Sequence, residues 1–140
     1  MTDFTLTETL PTPYDETLGR VRELLGDAGF GVLTEIDLQA TLRAKLGVEM
    51  APQVILGACR PPLAHQALEA DPRLATLLPC NVVVAAEGEG TRVEVLDPAV
   101  MTSFSDAPAL AALAAEARER LSGMMEALRC EGKESDASRA

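Results

Sequence analysis

The sequence has few aromatic and few basic residues, and these shortages exclude several classes of protein. Only 3% of its 140 residues are aromatic, with no Trp and one Tyr, so the core must be built from aliphatic side chains. Acidic residues outnumber Lys and Arg by 22 to 12, which gives a formal net charge of −10. Because nucleic acids are held by clustered Lys and Arg, no nucleic-acid partner is expected.

Long apolar runs and paired cysteines are also missing. No run approaches the roughly 20 apolar residues that cross a bilayer, and the start, Met1-Thr2-Asp3, lacks the basic and apolar segments of a secretion signal. Three cysteines at wide spacings form a poor disulfide framework and are typical of a reducing compartment. The sequence therefore predicts no membrane partner and a cytoplasmic location.

The length and composition predict one domain with one core. At 140 residues, about two thirds of the unfolded surface can be buried on folding, and an apolar fraction of 47% is ordinary for a globular protein. No repeat, linker or low-complexity stretch indicates a second domain. We expect a single domain over residues 1–130 and a flexible tail over residues 131–140, which are small or charged.

Strand and helix patterns predict an α+β fold with the order β-α-β-α-β-α-β-β-α. Strands are expected where β-branched and apolar residues cluster between chain breakers, at residues 5–9, 30–36, 54–59, 80–86 and 91–96. Helices are expected where apolar residues recur at helical spacing: after Thr12 and Asp37 as N-caps, after Arg60, and over about 106–130. A turn or two of helix is expected over 71–78. We predict helices packed on a mostly antiparallel five-stranded sheet, with the last two strands forming a hairpin.

The third and fourth predicted strands bear on assembly. Residues 54–59 and 80–86 are apolar on both faces, whereas a single layer of helices covers one face of a sheet. Either another helix of the same chain or a second copy of the protein must cover the other face. The prevalence of symmetric dimers favours a homodimer.

Three motifs in the right order resemble the bacterial and archaeal domain-of-unknown-function family 302. They are the upstream residues 29–32, 35–37 and 45–47, the stretch 54–68 (VILGACRPPLAHQAL), and residues 77–84 followed by Asp97-Pro98. The similarity covers roughly residues 14–128. The resemblance implies a compact α+β fold that is commonly dimeric, without an established activity. In the family, Asn often follows the first cysteine of this stretch, and here that position is Arg60.

The candidate site consists of polar and sulfur-bearing side chains near two strand ends. Cys59 and Arg60 close the third predicted strand, Cys80 opens the fourth, and His65 lies on the helix between them. We expect the turns at these strand ends to bring the four side chains to a common hollow. The leading interpretation is a non-enzymatic binding or accessory module for a small or anionic ligand, with no catalytic residue and no identified cofactor.

Two features next to this hollow modify that interpretation. The start of a helix after Arg60 would favour an anion, but Pro61 and Pro62 remove two of its N–H donors. Asp97 is a further ligand-binding candidate, although Asp-Pro after a strand is more often turn chemistry. The sole histidine, without a G-x-S-x-G motif, makes a serine hydrolase improbable.

The alternative is a thiol-redox or metal-dependent activity at the same place. Cys59, His65 and Cys80 are ligand types that zinc and copper accept, yet the sequence contains no C-x-x-C pair and a closed site would need a fourth ligand. A positive neighbour such as Arg60 or His65 would lower the pKa of Cys80 and make it reactive. The structural alternative, without a functional role, is that both cysteines are small core residues.

Overall fold

The structure, a computed structural model, describes the backbone of residues 3–139 and the side chains of residues 3–133. The strands are β1 (Thr5–Leu10), β2 (Gly31–Asp37), β3 (Gln53–Cys59), β4 (Cys80–Glu87) and β5 (Gly90–Leu96). The helices are α1 (Tyr14–Asp27), α2 (Leu38–Leu46), α3 (Pro61–Ala70) and α4 (Leu110–Arg139), with 3-10 helices at Pro72–Leu77 and Pro98–Ser103. This order confirms the predicted α+β arrangement.

The five strands form one sheet in the order β1-β5-β4-β3-β2, and every neighbouring pair is antiparallel. β4 and β5 form the predicted hairpin, with Glu87 opposite Gly90. The first strand of the chain therefore lies at one edge beside the last strand, and β2 lies at the other edge. Among the described residues, no helix is both long enough and apolar enough to cross a bilayer.

The main core lies between one face of the sheet and the helices α1 and α4. Leu25 of α1 and Leu121 of α4 are fully buried there. They belong to the same cluster as Leu56 and Val82, which face each other across β3 and β4. Each fully buried side chain of this kind contributes about 1.5–3 kcal/mol relative to an exposed one.

The opposite face of the sheet is apolar only at its centre. Side chains alternate between the two faces along a strand, so Ile55 and its cross-strand partner Val83 point away from α1 and α4, and both are half-buried. On its other side, Val83 pairs with the charged Glu94 of β5. The Glu94 carboxylate accepts a hydrogen bond from Arg92 at 2.6 Å. Exposed apolar side chains occur instead at β2, where Leu33 and Ile36 are exposed, and at α2, which buries no residue and ends with the exposed Leu46.

A second, smaller cluster lies beside the main core. Its buried members are Ala67 of α3, Leu74, Met101 and Leu110 at the start of α4. The two 3-10 helices supply Leu74 and Met101. Because α4 contributes to both clusters, they meet along its first turns.

The helix ends test two of the predicted caps. The Asp37 side chain accepts a hydrogen bond from the Ala40 N–H at 2.9 Å, and Gly47 ends α2 with φ of 65°, which confirms the predicted bounds of this helix. The predicted cap at Thr12 is wrong, because α1 begins one residue later with Pro13 in the N-cap position. The Thr12 hydroxyl instead hydrogen bonds the buried Thr17 hydroxyl at 2.7 Å.

The last helix departs from prediction at both ends. It begins at Leu110 rather than near residue 106, and it continues to Arg139 rather than ending at Cys130. Two residues of the predicted tail belong to the folded body: Glu131 forms an ion pair with Arg20 of α1 at 2.6 Å, and Gly132 is buried. Residue 140 and the side chains of residues 134–139 lie outside the described residues, so their predicted flexibility stays a prediction.

Candidate functional site

Two cysteines lie at the same end of the sheet because β3 and β4 are antiparallel. Cys59 is the last residue of β3 and Cys80 is the first residue of β4. The register places Ala58 opposite Cys80, so the two thiols belong to neighbouring positions on adjacent strands. Arg60 follows directly and begins the connection to α3.

Next to these strand ends is a cavity of about 50 Å³. It lies where the two apolar clusters meet, since it is lined by Phe30 and Ala58 beside the main core and by Met101 and Leu110 of the smaller cluster. The remaining lining residues are Cys59, Arg60, Leu63, Ala64, Ala67, Leu78, Cys80, Leu113, Ala114 and Ala117. Arg60 is the one charged residue among them, and almost all of the cavity surface is apolar.

The side chain of Arg60 lies against the turn between α1 and β2. A Cβ atom added at Gly29 would lie 3.2 Å from Nε and 3.8 Å from Cζ of Arg60. Gly29 has φ of 88°, a conformation that favours glycine. Gly29 therefore allows the chain to turn and leaves room for the guanidinium. The Nε–H of Arg60 is buried and has no hydrogen-bond acceptor among the described residues.

The surroundings of Cys80 argue against a reactive thiol at this position. Burial raises the pKa of the Cys80 thiol, and negative charge on the adjacent Cys59 raises it further. A raised pKa reduces the thiolate fraction at neutral pH, and the thiolate is the nucleophile and the metal-binding form. The predicted lowering of the pKa of Cys80 by Arg60 or His65 is therefore wrong.

The structure does not bring His65 to the cavity. Its side chain is 75% exposed and forms an ion-pair contact with Glu69, one turn along α3, at 2.9 Å. Of the four residues expected at a common hollow, Cys59, Arg60 and Cys80 line the cavity and His65 does not. Within the described part of the chain, no three His, Cys, Asp or Glu side chains are grouped closely enough to hold a metal ion.

Asp97 also lies apart from the cavity lining. Its side chain accepts a hydrogen bond from the Ala99 N–H at 2.9 Å and caps the 3-10 helix Pro98–Ser103. It also forms an ion pair with Arg118 of α4 at 3.1 Å. These contacts agree with the turn chemistry of an Asp-Pro pair and give no support to a ligand-binding role.

Sequence reasoning missed the α4 side of the cavity. Leu110, Leu113, Ala114 and Ala117 line it, whereas their helical spacing favours packing in the core over a binding groove for an apolar ligand or peptide. The signal that could have revealed them is size: Ala114 and Ala117 are small residues three apart within a stripe of Leu and Met. Small side chains at such positions leave space that larger ones would fill.

Comparisons with known proteins agree with this geometry. A family profile described as "Domain of unknown function DUF302" matches residues 6–128. The crystal structure of an uncharacterized conserved DUF302 protein from Bacillus stearothermophilus superposes with a TM-score of 0.81 at 31% sequence identity, covering 89% of this chain and 98% of that one. No curated protein matches the sequence.

Proposed function

The chain belongs to the DUF302 family, a family of unknown function, and from this premise we propose that it is a homodimeric binding module that holds a small ligand in the cavity beside Cys59, Arg60 and Cys80. The proposal rests on the presence of that cavity. It lies at the ends of two central strands, and its apolar lining includes one charged side chain. Small-molecule sites in proteins typically combine an apolar lining with a few polar groups.

The position of the cavity supports binding rather than a packing defect. Apolar interiors are close-packed, and voids larger than a water molecule are few. Here the space is bounded by side chains from α3, α4, β3 and β4 together with the 3-10 helix that carries Met101. A hollow between two separate clusters can admit a ligand without disturbing the main core under α1. The three cysteines are free, which is consistent with the cytoplasmic location that we propose.

The proposal predicts that filling the cavity abolishes binding. Ala117 lines the cavity, whereas Ala115 is exposed on the same helix and does not. Ala117→Leu should therefore weaken binding of small molecules by about tenfold or more, because the added atoms occupy ligand space, while Ala115→Leu should leave it unchanged. Compounds of up to about six non-hydrogen atoms are titrated into the protein, and binding is detected as a shift of the Met101 methyl resonance in NMR spectra.

The panel for this titration should contain carboxylates, amides, alcohols and inorganic phosphate. Thermal unfolding of both variants confirms that they are folded. Binding is refuted if no compound shifts the Met101 methyl resonance, or if Ala117→Leu binds as tightly as the parent protein.

The dimer is proposed to form through a surface that we term the β2 corner, comprising Leu33, Ile36, Leu46 and Val48. These are four of the seven large apolar side chains recorded as exposed among the described residues, with exposed fractions of 66%, 45%, 70% and 45%. Exposed edge strands and apolar patches are commonly covered by a partner.

Charge supports a second copy as the occupant of the β2 corner. Two molecules of net charge −10 repel each other over most of their surface. At the β2 corner, Glu35 forms an ion pair with Arg22 and Glu49 forms one with Arg43, so the local charge is closer to balance than that of the chain as a whole. Such a surface meets its own copy without the repulsion that the rest of the molecule would cause.

The dimer is tested by its mass in solution. The parent protein is expected to sediment as a dimer at micromolar concentration, and the double change Leu33→Glu and Ile36→Glu should produce monomers because it adds four like charges to a two-fold interface. Phe104→Glu serves as the control, since Phe104 is 63% exposed and lies outside the β2 corner. A monomeric parent protein at 100 times higher concentration would refute the dimer.

A further inference from the structure

The wall of the cavity beside Cys59 and Cys80 is almost entirely apolar. The Nε atom of Arg60 is inaccessible to solvent, so it adds no polar surface to that wall. The Cys80 thiol stays protonated at neutral pH, because burial raises its pKa. The part of a ligand that enters the cavity therefore meets mainly carbon and sulfur atoms.

Such a wall selects which part of a molecule enters. Burying a polar or charged group without a hydrogen bond is costly, and cavities with apolar walls also stay free of water. An alkyl group, by contrast, leaves water with a gain in free energy and forms packing contacts inside. The cavity therefore favours hydrocarbon over hydroxyl, amide and carboxylate groups.

The cavity reaches the molecular surface, so the polar end of a ligand can remain in water. Ala64 of α3 and Leu113 of α4 line it and are partly exposed. Leu63, Met101 and Leu110 line it and are buried. A molecule with one apolar and one polar end can thus place the first against the buried residues and keep the second in solvent.

The volume of the cavity limits the length of the apolar end. One water-sized sphere needs about 10–15 Å³, so a cavity of about 50 Å³ holds roughly three to five carbon atoms. We propose that the cavity binds the alkyl end of a short aliphatic molecule, of propyl to pentyl length, while the polar group of that molecule stays at the opening. This inference rests on the proposed binding function and names its ligand class.

The first test varies chain length. The n-alcohols from ethanol to octanol are titrated into the full-length protein, and the Met101 methyl resonance reports binding by NMR. The Met125 methyl group, in the main core and outside the cavity lining, is the reference for general solvent effects. Each added methylene is expected to tighten binding about fourfold, and the gain is expected to stop at about five carbons, where the cavity is full. A flat series, or a gain that continues unchanged to octanol, would overturn the inference.

The second test varies the polar group at constant alkyl length. The molecules 1-propanol, butyramide and butyrate all carry a propyl group. At physiological ionic strength their dissociation constants are expected to lie within about threefold of one another, since each polar group stays hydrated. Inorganic phosphate, which has no alkyl group, is expected not to bind.

Enlarging the cavity should move the chain length at which the gain stops. Leu113 lines the cavity and is only half-buried, so Leu113→Ala removes side-chain atoms from the lining without opening the main core. In this variant the gain is expected to continue for about two or three further carbons, the size of the group removed. Leu68→Ala, an exposed change on α3 outside the lining, should keep the parent series. If Leu113→Ala stops at the same alcohol as the parent protein, the alkyl end does not occupy the cavity.

Contrary results separate this inference from the proposed function. Suppose that butyrate or butyramide binds more than about tenfold tighter than 1-propanol, and that Ala117→Leu abolishes this binding. The cavity is then a binding site that recognises a polar group, and the alkyl assignment is wrong. If no alcohol, amide or carboxylate shifts the Met101 resonance, the inference and the proposed function are both wrong.

Discussion

Replacing Leu121 by alanine is expected to lower the free energy of unfolding by about 2–5 kcal/mol, the range for removing a large buried side chain. Leu121 is fully buried in the main core, where α4 crosses the sheet and α1 packs beside it. The lost methyl groups forfeit their transfer free energy, and the surrounding side chains collapse only partly into the space. The measurement is urea unfolding followed by circular dichroism at fixed protein concentration.

Leu68→Ala is the matched control for this experiment. Leu68 also lies in a helix, α3, but it is 36% exposed, so the same chemical change removes fewer contacts. Its effect should stay below about 1 kcal/mol. Equal losses for the two variants would show that α4 does not pack on the sheet as described.

Gly90→Ala is expected to destabilise the protein by about 1–3 kcal/mol, as overpacking of a tight contact does. A Cβ atom at Gly90 would run into the carbonyl oxygen of Leu10 and lie 3.2 Å from its carbonyl carbon and 3.4 Å from Cα of Pro11. These are backbone atoms, so no side-chain rotation relieves the contact. The change should separate the end of β1 from the start of β5.

The same substitution should have the opposite sign at Gly123. Nothing lies within 4 Å of a Cβ atom built there, and the residue is inside α4, where alanine is favoured over glycine by about 0.5–1 kcal/mol. Gly123→Ala is therefore expected to raise the free energy of unfolding. Both variants are compared in the same urea titrations, and a shared sign would contradict the close approach at Gly90.

The fold was largely predictable because local chemistry and tertiary structure agree in most elements. The Asp37 cap, Gly47 and the glycines of the β4–β5 turn each act within a few residues of their own position, so the sequence carries their signals directly. The far end of α4 was mispredicted because the contact of Glu131 with Arg20 joins residues 111 positions apart. No local pattern reports a contact of that kind.

The candidate site was predictable only in part for a related reason. Adjacent antiparallel strands bring Cys59 and Cys80 to one end of the sheet, and this follows from the order of the elements. The position of His65 could have been inferred from helical periodicity, since Leu63 and Ala67 are buried on one face of α3 and His65 falls between them. The contributions of Phe30 and Met101 depend on how distant segments pack, which the sequence pattern does not specify.

The pairing of β1 with β5 has a consequence for synthesis on the ribosome. Thr7 hydrogen bonds Glu94, 87 residues later in the chain, and Thr5–Leu10 has no other neighbouring strand in the sheet. At translation rates of about 5–20 residues per second, the nascent amino-terminal segment waits roughly 4–17 s for its partner to be made. During this interval its backbone N–H and C=O groups lack the strand that pairs with them in the folded protein, and an unpaired strand of this kind can pair with another chain instead.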